Sequence, residues 1–265
     1  MSKTTYTVDA GVALIELNDP PANTYSYAMM QEIDGAVLAA RMDGAVHVIV
    51  ITGVGEKFFC AGANIGMLKD ADPNFKYYFC LHANETMSRL EQTPKLVIAG
   101  LNGHTVGGGL EVAMACDLRI ARQGAGKIGL PEVALGVLPG TGGTQRLARL
   151  LGKAKAIELM TAGSLMSFEE ARGLGLINQV WGEADLNGRS YREALLEYAR
   201  QFTPPHRASM AVGHIKRAVQ SGLEMSFADA LALERELQQR LFESADAHEG
   251  IAAHLEKRTP QFTGR

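Results

Sequence analysis

Cysteine is scarce in this chain. The three present, Cys60, Cys80 and Cys116, sit far apart with no paired spacing. Without a disulfide framework or a ligand pair, they read as free thiols of a reducing compartment. No apolar run reaches the ~18 residues that a membrane helix needs. No apolar stretch follows Met1-Ser-Lys-Thr-Thr-Tyr, so no signal peptide is expected. Charge of one sign is lacking too: 26 Lys+Arg against 29 Asp+Glu leave −3. That balance favours neither nucleic acid nor an anionic membrane as partner. A soluble cytoplasmic protein is the expectation.

Several motifs are also missing. No serine lies in Gly-x-Ser-x-Gly, which argues against a hydrolase of that kind. Gly152-Lys153 has neither the upstream glycine nor the following Ser/Thr of a phosphate-binding loop. Gly124-Ala125-Gly126-Lys127-Ile128-Gly129 spells the dinucleotide fingerprint, but Leu130-Pro131 follows where a long helix should begin. His248 and His254 stand six apart, on different faces of a helix, so no metal site is expected.

Glycine, by contrast, is abundant and local. There are 29, roughly 11% against an average near 7%. Twelve fall in residues 100–143 and only four after residue 200. With 9 prolines and no three-residue period this is not collagen, and 46% hydrophobic residues describe an ordinary globule. One stretch therefore uses backbone where other proteins use side chains.

The apolar pattern gives the frame. Residues 5–18 read as two strands turning at Asp9-Ala10-Gly11, and 26–42 as an amphipathic helix. Short β-branched or apolar runs at 46–51, 95–101 and 118–120 read as buried strands. Helices are expected at 74–92, from Gly108, and at 142–151, 153–162 and 167–174. Alternating strands and helices indicate an α/β fold with parallel strands. After about residue 190 only helices follow, with eight cations and eight acids in 201–265.

Four segments carry candidate chemistry. In Val106-Gly107-Gly108-Gly109-Leu110-Glu111 three glycines uncover backbone N–H groups at a helix start, a seat for a negatively charged oxygen. Alternatively the glycines allow tight packing and Glu111 complements the helix dipole. Phe59-Cys60-Ala61-Gly62-Ala63-Asn64-Ile65 is either a loop that a ligand approaches closely or an ordinary loop. Pro131-Glu132 suits a helix first turn, or supplies a second carboxylate to face Glu111 and divide acid and base duties. Leu138-Pro139-Gly140-Thr141-Gly142-Gly143-Thr144-Gln145-Arg146 is another glycine loop opening a helix, where a phosphate could bind. The tyrosines Tyr25, Tyr27, Tyr77 and Tyr78 are expected to serve packing.

Together and in this order, these segments resemble the enoyl-CoA hydratase/isomerase (crotonase) superfamily. The likeness runs from about Val12 to Phe262 and includes Asn102-Gly103-His104-Thr105-Val106-Gly107-Gly108-Gly109 and Cys116-Asp117. It implies a crotonase-like spiral of ββα units over residues 1–195 and a helical oligomerisation segment over 196–265. It implies an acyl-CoA thioester as substrate, with no further cofactor, no metal, and a homotrimer or dimer of trimers as the assembly. By motif position, the N–H groups of Ala63 and Gly108 would form an oxyanion hole. Glu111 and Glu132 would be the catalytic carboxylates, and Ala61, Ile65, Gly107, Gly140 and Lys257 would contact the acyl or CoA moiety.

The activity so implied is hydration of a 2-enoyl-CoA to a 3-hydroxyacyl-CoA, with isomerisation as the alternative. Double-bond migration without water uptake would mark an isomerase. An RNA-binding relative would need a basic helix, and 26–42 holds only Arg41. A catalytically silent subunit would not need both glutamates.

The chain also departs from the family pattern. Asn64 replaces a frequent aspartate, Gly66 a frequent lysine, and Pro20-Pro21-Ala22-Asn23 a segment often basic. Phosphate contacts then fall to Lys57, Lys69 or a neighbouring subunit's Lys257 or Arg258. The segment from Met67 to Met87 lines the acyl pocket in relatives. Its Phe75, Tyr77, Tyr78 and Phe79 would suit packing, or an aromatic or cyclic acyl group.

Overall fold

A computed structural model describes residues 2–265. The chain starts with the expected hairpin, β1 (Thr4–Asp9) and β2 (Val12–Leu17). Its turn is made by Ala10 and Gly11, both in the left-handed region. Helix α1 (Tyr27–Met42) follows and buries Met29, Met30, Ile33, Ala36, Val37 and Ala40, the stripe at helical spacing.

From here the chain repeats one manoeuvre. A strand enters a first sheet, the next short strand enters a second sheet, and a helix or helical turn returns. The first round is β3 (Val48–Gly53), β4 (Phe58–Cys60), α2 (Ile65–Asp70) and α3 (Pro73–Gln92). The second is β5 (Leu96–Leu101), β6 (His104–Val106) and α4 (Gly108–Met114). The third is β7 (Leu118–Arg122), β8 (Lys127–Gly129) and a 3-10 turn at Glu132–Leu135, then α5 (Gly143–Leu151) and α6 (Lys153–Ala162). A short β9 (Met166–Ser167), α7 (Phe168–Gly173) and β10 (Gln179–Trp181) close the series. This is the spiral of ββα units that the resemblance implies.

The first sheet has order β1-β2-β3-β5-β7-β10 and is parallel except for β1. All six residues of β3 are buried, as expected of a strand covered on both faces. One face packs on α1, α3 and α4 through Ile49, Ile51, Val97 and Ala99. The other packs on α9 (Tyr191–Arg200) through Val48, Val50, Ile98 and Leu195. The second sheet, β4-β6-β8-β9, is not among the sequence expectations. Its strands of two or three residues are too short to show a period.

After β10 come α8 (Glu183–Leu186), α9, α10 (Ser209–Gly222), α11 (Phe227–Phe242) and α12 (Ala245–Glu256). The expected division at 195/196 falls inside α9, whose Leu195 and Ala199 both pack on the sheet. The change from sheet-packed to helical chain therefore comes after α9. Helix α10 is fastened to the core by Lys216, which pairs with Asp117 at 2.9 Å and donates to the Leu90 and Lys95 carbonyls. Beside it Ile215, Val219 and Leu223 are exposed at 64%, 59% and 80%, an apolar stripe at spacing four that lines a groove with Met114 and Leu118.

Candidate active site

The two sheets bring the glycine loops together. The loop after β4 and the start of α4 touch so closely that a Cβ on Gly62 would lie 2.9 Å from the Gly108 nitrogen. Side chains are excluded here by contact. A Cβ at Gly109 would meet the Cys60 carbonyl, and one at Gly108 the Tyr25 hydroxyl. Gly107, at φ 58° and ψ −130°, takes a conformation that only glycine adopts without strain.

This crowding leaves particular N–H groups unclaimed. Around the first loop, Ala61 donates to the Ala22 carbonyl, Gly62 to Cys60 Sγ and Asn64 to the Tyr25 carbonyl. Around the second, Gly107 donates to the Gly129 carbonyl and Leu110 to the Gly107 carbonyl. Among the described residues no protein acceptor takes the N–H of Ala63 or Gly108. Gly108 is the first residue of α4, where a helix has no internal acceptor to offer.

Both face a cavity of about 280 Å³. Of the site residues named from the sequence, Ala61, Ala63, Ile65, Gly107, Gly108, Glu111, Glu132 and Gly140 all line it. Lys257 does not: it caps α12 in the left-handed conformation and is absent from the cavity lining. Neither Lys57 nor Lys69 lines the cavity; the cation that does is Lys76, on α3. Much of the lining is aliphatic, with Leu68, Ala134, Leu135, Val137 and Leu138. None of Phe75, Tyr77, Tyr78 or Phe79 lines it, so the aromatic segment gives no support to an aromatic acyl group.

The carboxylates have opposite surroundings. Glu111 is 2% exposed on α4, and its Oε1 accepts from the Thr141 N–H at 2.8 Å and the Gly143 N–H at 2.7 Å. The Thr141 hydroxyl donates to its Oε2. The N-terminus of α5, expected to suit a phosphate, is thus occupied by the Glu111 carboxylate. The helix dipole and two free N–H groups there stabilise a side-chain anion just as they would a phosphate. Behind it Arg146 pairs with Glu91, both contacts at 2.7 Å.

Glu132 opens the 3-10 turn and is half-buried. Its Oε2 is buried with no protein partner, and its Oε1 lies 3.0 Å from where a Gly107 Cβ would stand. Burial pushes its carboxyl up to about 7, the nearby Glu111 charge adds to the rise, and Lys76 opposes it. One carboxyl is held as an acceptor and the other is poised near neutrality. Such divergence is the signature of paired acid and base roles.

Two residues named from the sequence take parts that it did not specify. Tyr25, grouped with packing tyrosines, is buried in the cavity wall with its hydroxyl 3.1 Å from Thr141 Oγ1. Tyr77 and Tyr78, by contrast, are 65% and 57% exposed, so the cluster does not act as one. Asn64, the departure beside Ala63, caps α2 by accepting from the Met67 N–H at 3.0 Å. That is a duty asparagine and aspartate share.

Known proteins resemble this chain along its whole length. The family model described as enoyl-CoA hydratase/isomerase matches residues 7–265. A probable enoyl-CoA hydratase of Bacillus subtilis (strain 168) is 38% identical over 265 residues, covering 100% of both chains. The 2,3-dehydroadipyl-CoA hydratase of Escherichia coli (strain K12) is 36% identical, over 96% of each chain. An enoyl-CoA hydratase crystal structure from Geobacillus kaustophilus HTA426 superposes with a TM-score of 0.95 at 44% identity, covering 100% of this chain and 98% of that one. Matched along nearly its whole length by that family model, by these relatives and by this fold, the chain belongs to the enoyl-CoA hydratase/isomerase family.

Proposed function

We propose that Glu111 and Glu132 add water across the α,β double bond of a 2-enoyl-CoA thioester, giving a 3-hydroxyacyl-CoA. The chain is an enoyl-CoA hydratase, a hydro-lyase. The observation that carries the residue assignment is the meeting, in one cavity, of two unclaimed N–H groups and two carboxyls in opposite environments.

In this reading the thioester oxygen accepts from the Ala63 and Gly108 N–H groups. Conjugation already makes the β-carbon electrophilic, and each donor aimed at the developing oxyanion stabilises it by roughly 3 kcal/mol. Glu111, held by the N–H groups at the start of α5, takes a proton from water as the oxygen bonds to the β-carbon. The resulting enolate collapses and its α-carbon takes the proton of Glu132. The cycle leaves Glu111 protonated and Glu132 ionised, and exchange with solvent restores both. Acid–base help of this kind is worth on the order of 10² to 10⁴ in rate. Double-bond isomerisation needs only one group to move one proton, so the pair favours hydration.

CoA enters as part of the substrate, and no other cofactor is invoked. Ala61, Ile65, Gly107 and Gly140 are assigned to the acyl and pantetheine contacts, with Lys257 reaching the CoA from a neighbouring subunit. The chain is proposed to form a homotrimer, alone or paired as a hexamer, through the helices that follow the sheet. The exposed stripe Ile215, Val219 and Leu223 supports this. No described helix is long and apolar enough to cross a membrane.

The test is direct. With crotonyl-CoA in water, the ultraviolet absorbance of the conjugated thioester should fall and 3-hydroxybutyryl-CoA should appear. Migration of a double bond in a 3-enoyl-CoA, without water uptake, would favour isomerisation instead.

A further inference from the structure

The side chains of Tyr25 and Thr141 stand beside Glu111, and the hydratase reading gives neither a role. Counting lone pairs gives them one. A carboxylate oxygen accepts at two positions. On Glu111, Oε1 has both filled, by the N–H groups of Thr141 and Gly143. Oε2 accepts only the Thr141 hydroxyl, which leaves one position open. Thr141 has a single hydroxyl proton. Once it is given to Glu111, the 3.1 Å contact with Tyr25 must run the other way, with the tyrosine hydroxyl donating to Thr141 Oγ1. The chain of donors is therefore directed from Tyr25 through Thr141 to Glu111 Oε2.

We propose that Thr141, backed by Tyr25, is a positioning residue that fixes the Glu111 carboxylate and makes Oε2 the atom that takes the proton from water. The proposal rests on the hydratase reading above. Tyr25 is itself held at both ends. Its ring packs on Phe79 with centroids 5.8 Å apart, and burial, together with the Glu111 charge, keeps the hydroxyl protonated. Its backbone donates to the Gly62 carbonyl at 3.0 Å and accepts from the Asn64 N–H at 2.9 Å, framing Ala63. One residue thus ties the loop that presents the Ala63 N–H to the device that aims the base. Because its proton points at Thr141, Tyr25 offers only lone pairs toward Gly108 and is not a third donor to the thioester oxygen.

The experiment uses the full chain and crotonyl-CoA, with Thr141→Ala, Thr141→Ser and Tyr25→Phe, the last alone and combined with Thr141→Ala. Alanine keeps the backbone N–H and removes only the hydroxyl. Loss of a hydrogen bond to a charged group predicts a fall in kcat of about 10- to 100-fold, with KM changed less than about twofold. Serine restores the hydroxyl and should restore most of kcat. Tyr25→Phe should cost about fivefold in the wild-type background and nothing further beside Thr141→Ala. Wild-type kcat in Thr141→Ala overturns the proposal, as does Thr141→Ser as slow as alanine or an equal Tyr25→Phe cost in both backgrounds. Should Thr141→Ala fail to fold, wild-type kcat in Tyr25→Phe still overturns it. A wild-type protein that does not hydrate crotonyl-CoA refutes the hydratase reading first, a different result from an active wild type indifferent to these changes.

Discussion

Glu111 and Glu132 are the same residue type in the same cavity, each in the first turn of a helical segment, yet their surroundings differ in almost every respect. The first meets the N-terminus of α5 and accepts from two backbone N–H groups and a hydroxyl. The second has a buried oxygen with no partner and a carboxyl raised to about 7. The difference teaches that backbone placement assigns the roles. A helix end aimed at one carboxylate makes it an acceptor, and burial of the other, with its Oε2 left unpartnered, keeps it a proton source near neutrality.

Removing the base should cost most. Glu111→Gln is expected to lower kcat by about 10³-fold, because an amide cannot take the proton from water; steady-state hydration of crotonyl-CoA measures it. Glu132→Gln keeps the shape and loses the transferable proton, and should cost about 10²-fold in the same assay. Gly107→Ala comes next. It forces a side chain into a positive-φ position and toward Glu132 Oε1, so a Tm lowered by an amount corresponding to about 1 kcal/mol or more is expected, with reduced turnover. Lys76→Met is the mildest. The lysine lowers the Glu132 pKa, so its loss should move the alkaline fall of kcat/KM to higher pH while leaving the plateau rate nearly unchanged.

The raised carboxyl also has a consequence for stability. Glu132 binds its proton more tightly folded than unfolded, so its contribution is fully present below the ordinary glutamate pKa. That contribution is lost as pH rises through about 7. Melting temperatures across that window should fall more in wild type than in Glu132→Gln.

The larger strands and helices were legible because their periods are long enough to read: the runs at 46–51 and 95–101 are β3 and β5 within two residues, and 74–92 is α3 within one. The second sheet was not, since β4, β6 and β8 have three residues each and exist only by pairing with one another. The site glycines were legible as a local surplus, and both glutamates by their place at helix starts. What stayed hidden were relations across long separations. Thr141 meets Glu111 thirty residues away, and Tyr25 meets Thr141 across 116. The same blindness made the start of α5 look free for a phosphate when Glu111 already fills it. Lys76 sat unnoticed among aromatic neighbours because only the turn of α3 shows which of them faces the cavity.

The division of labour between the two carboxyls is tested most directly by kcat/KM for crotonyl-CoA hydration as a function of pH, wild type beside Glu132→Gln. If Glu132 is the acid, the wild-type value falls as pH rises past about 7 and the variant is slow with that fall abolished. A variant that keeps both the wild-type rate and the same alkaline fall would contradict it.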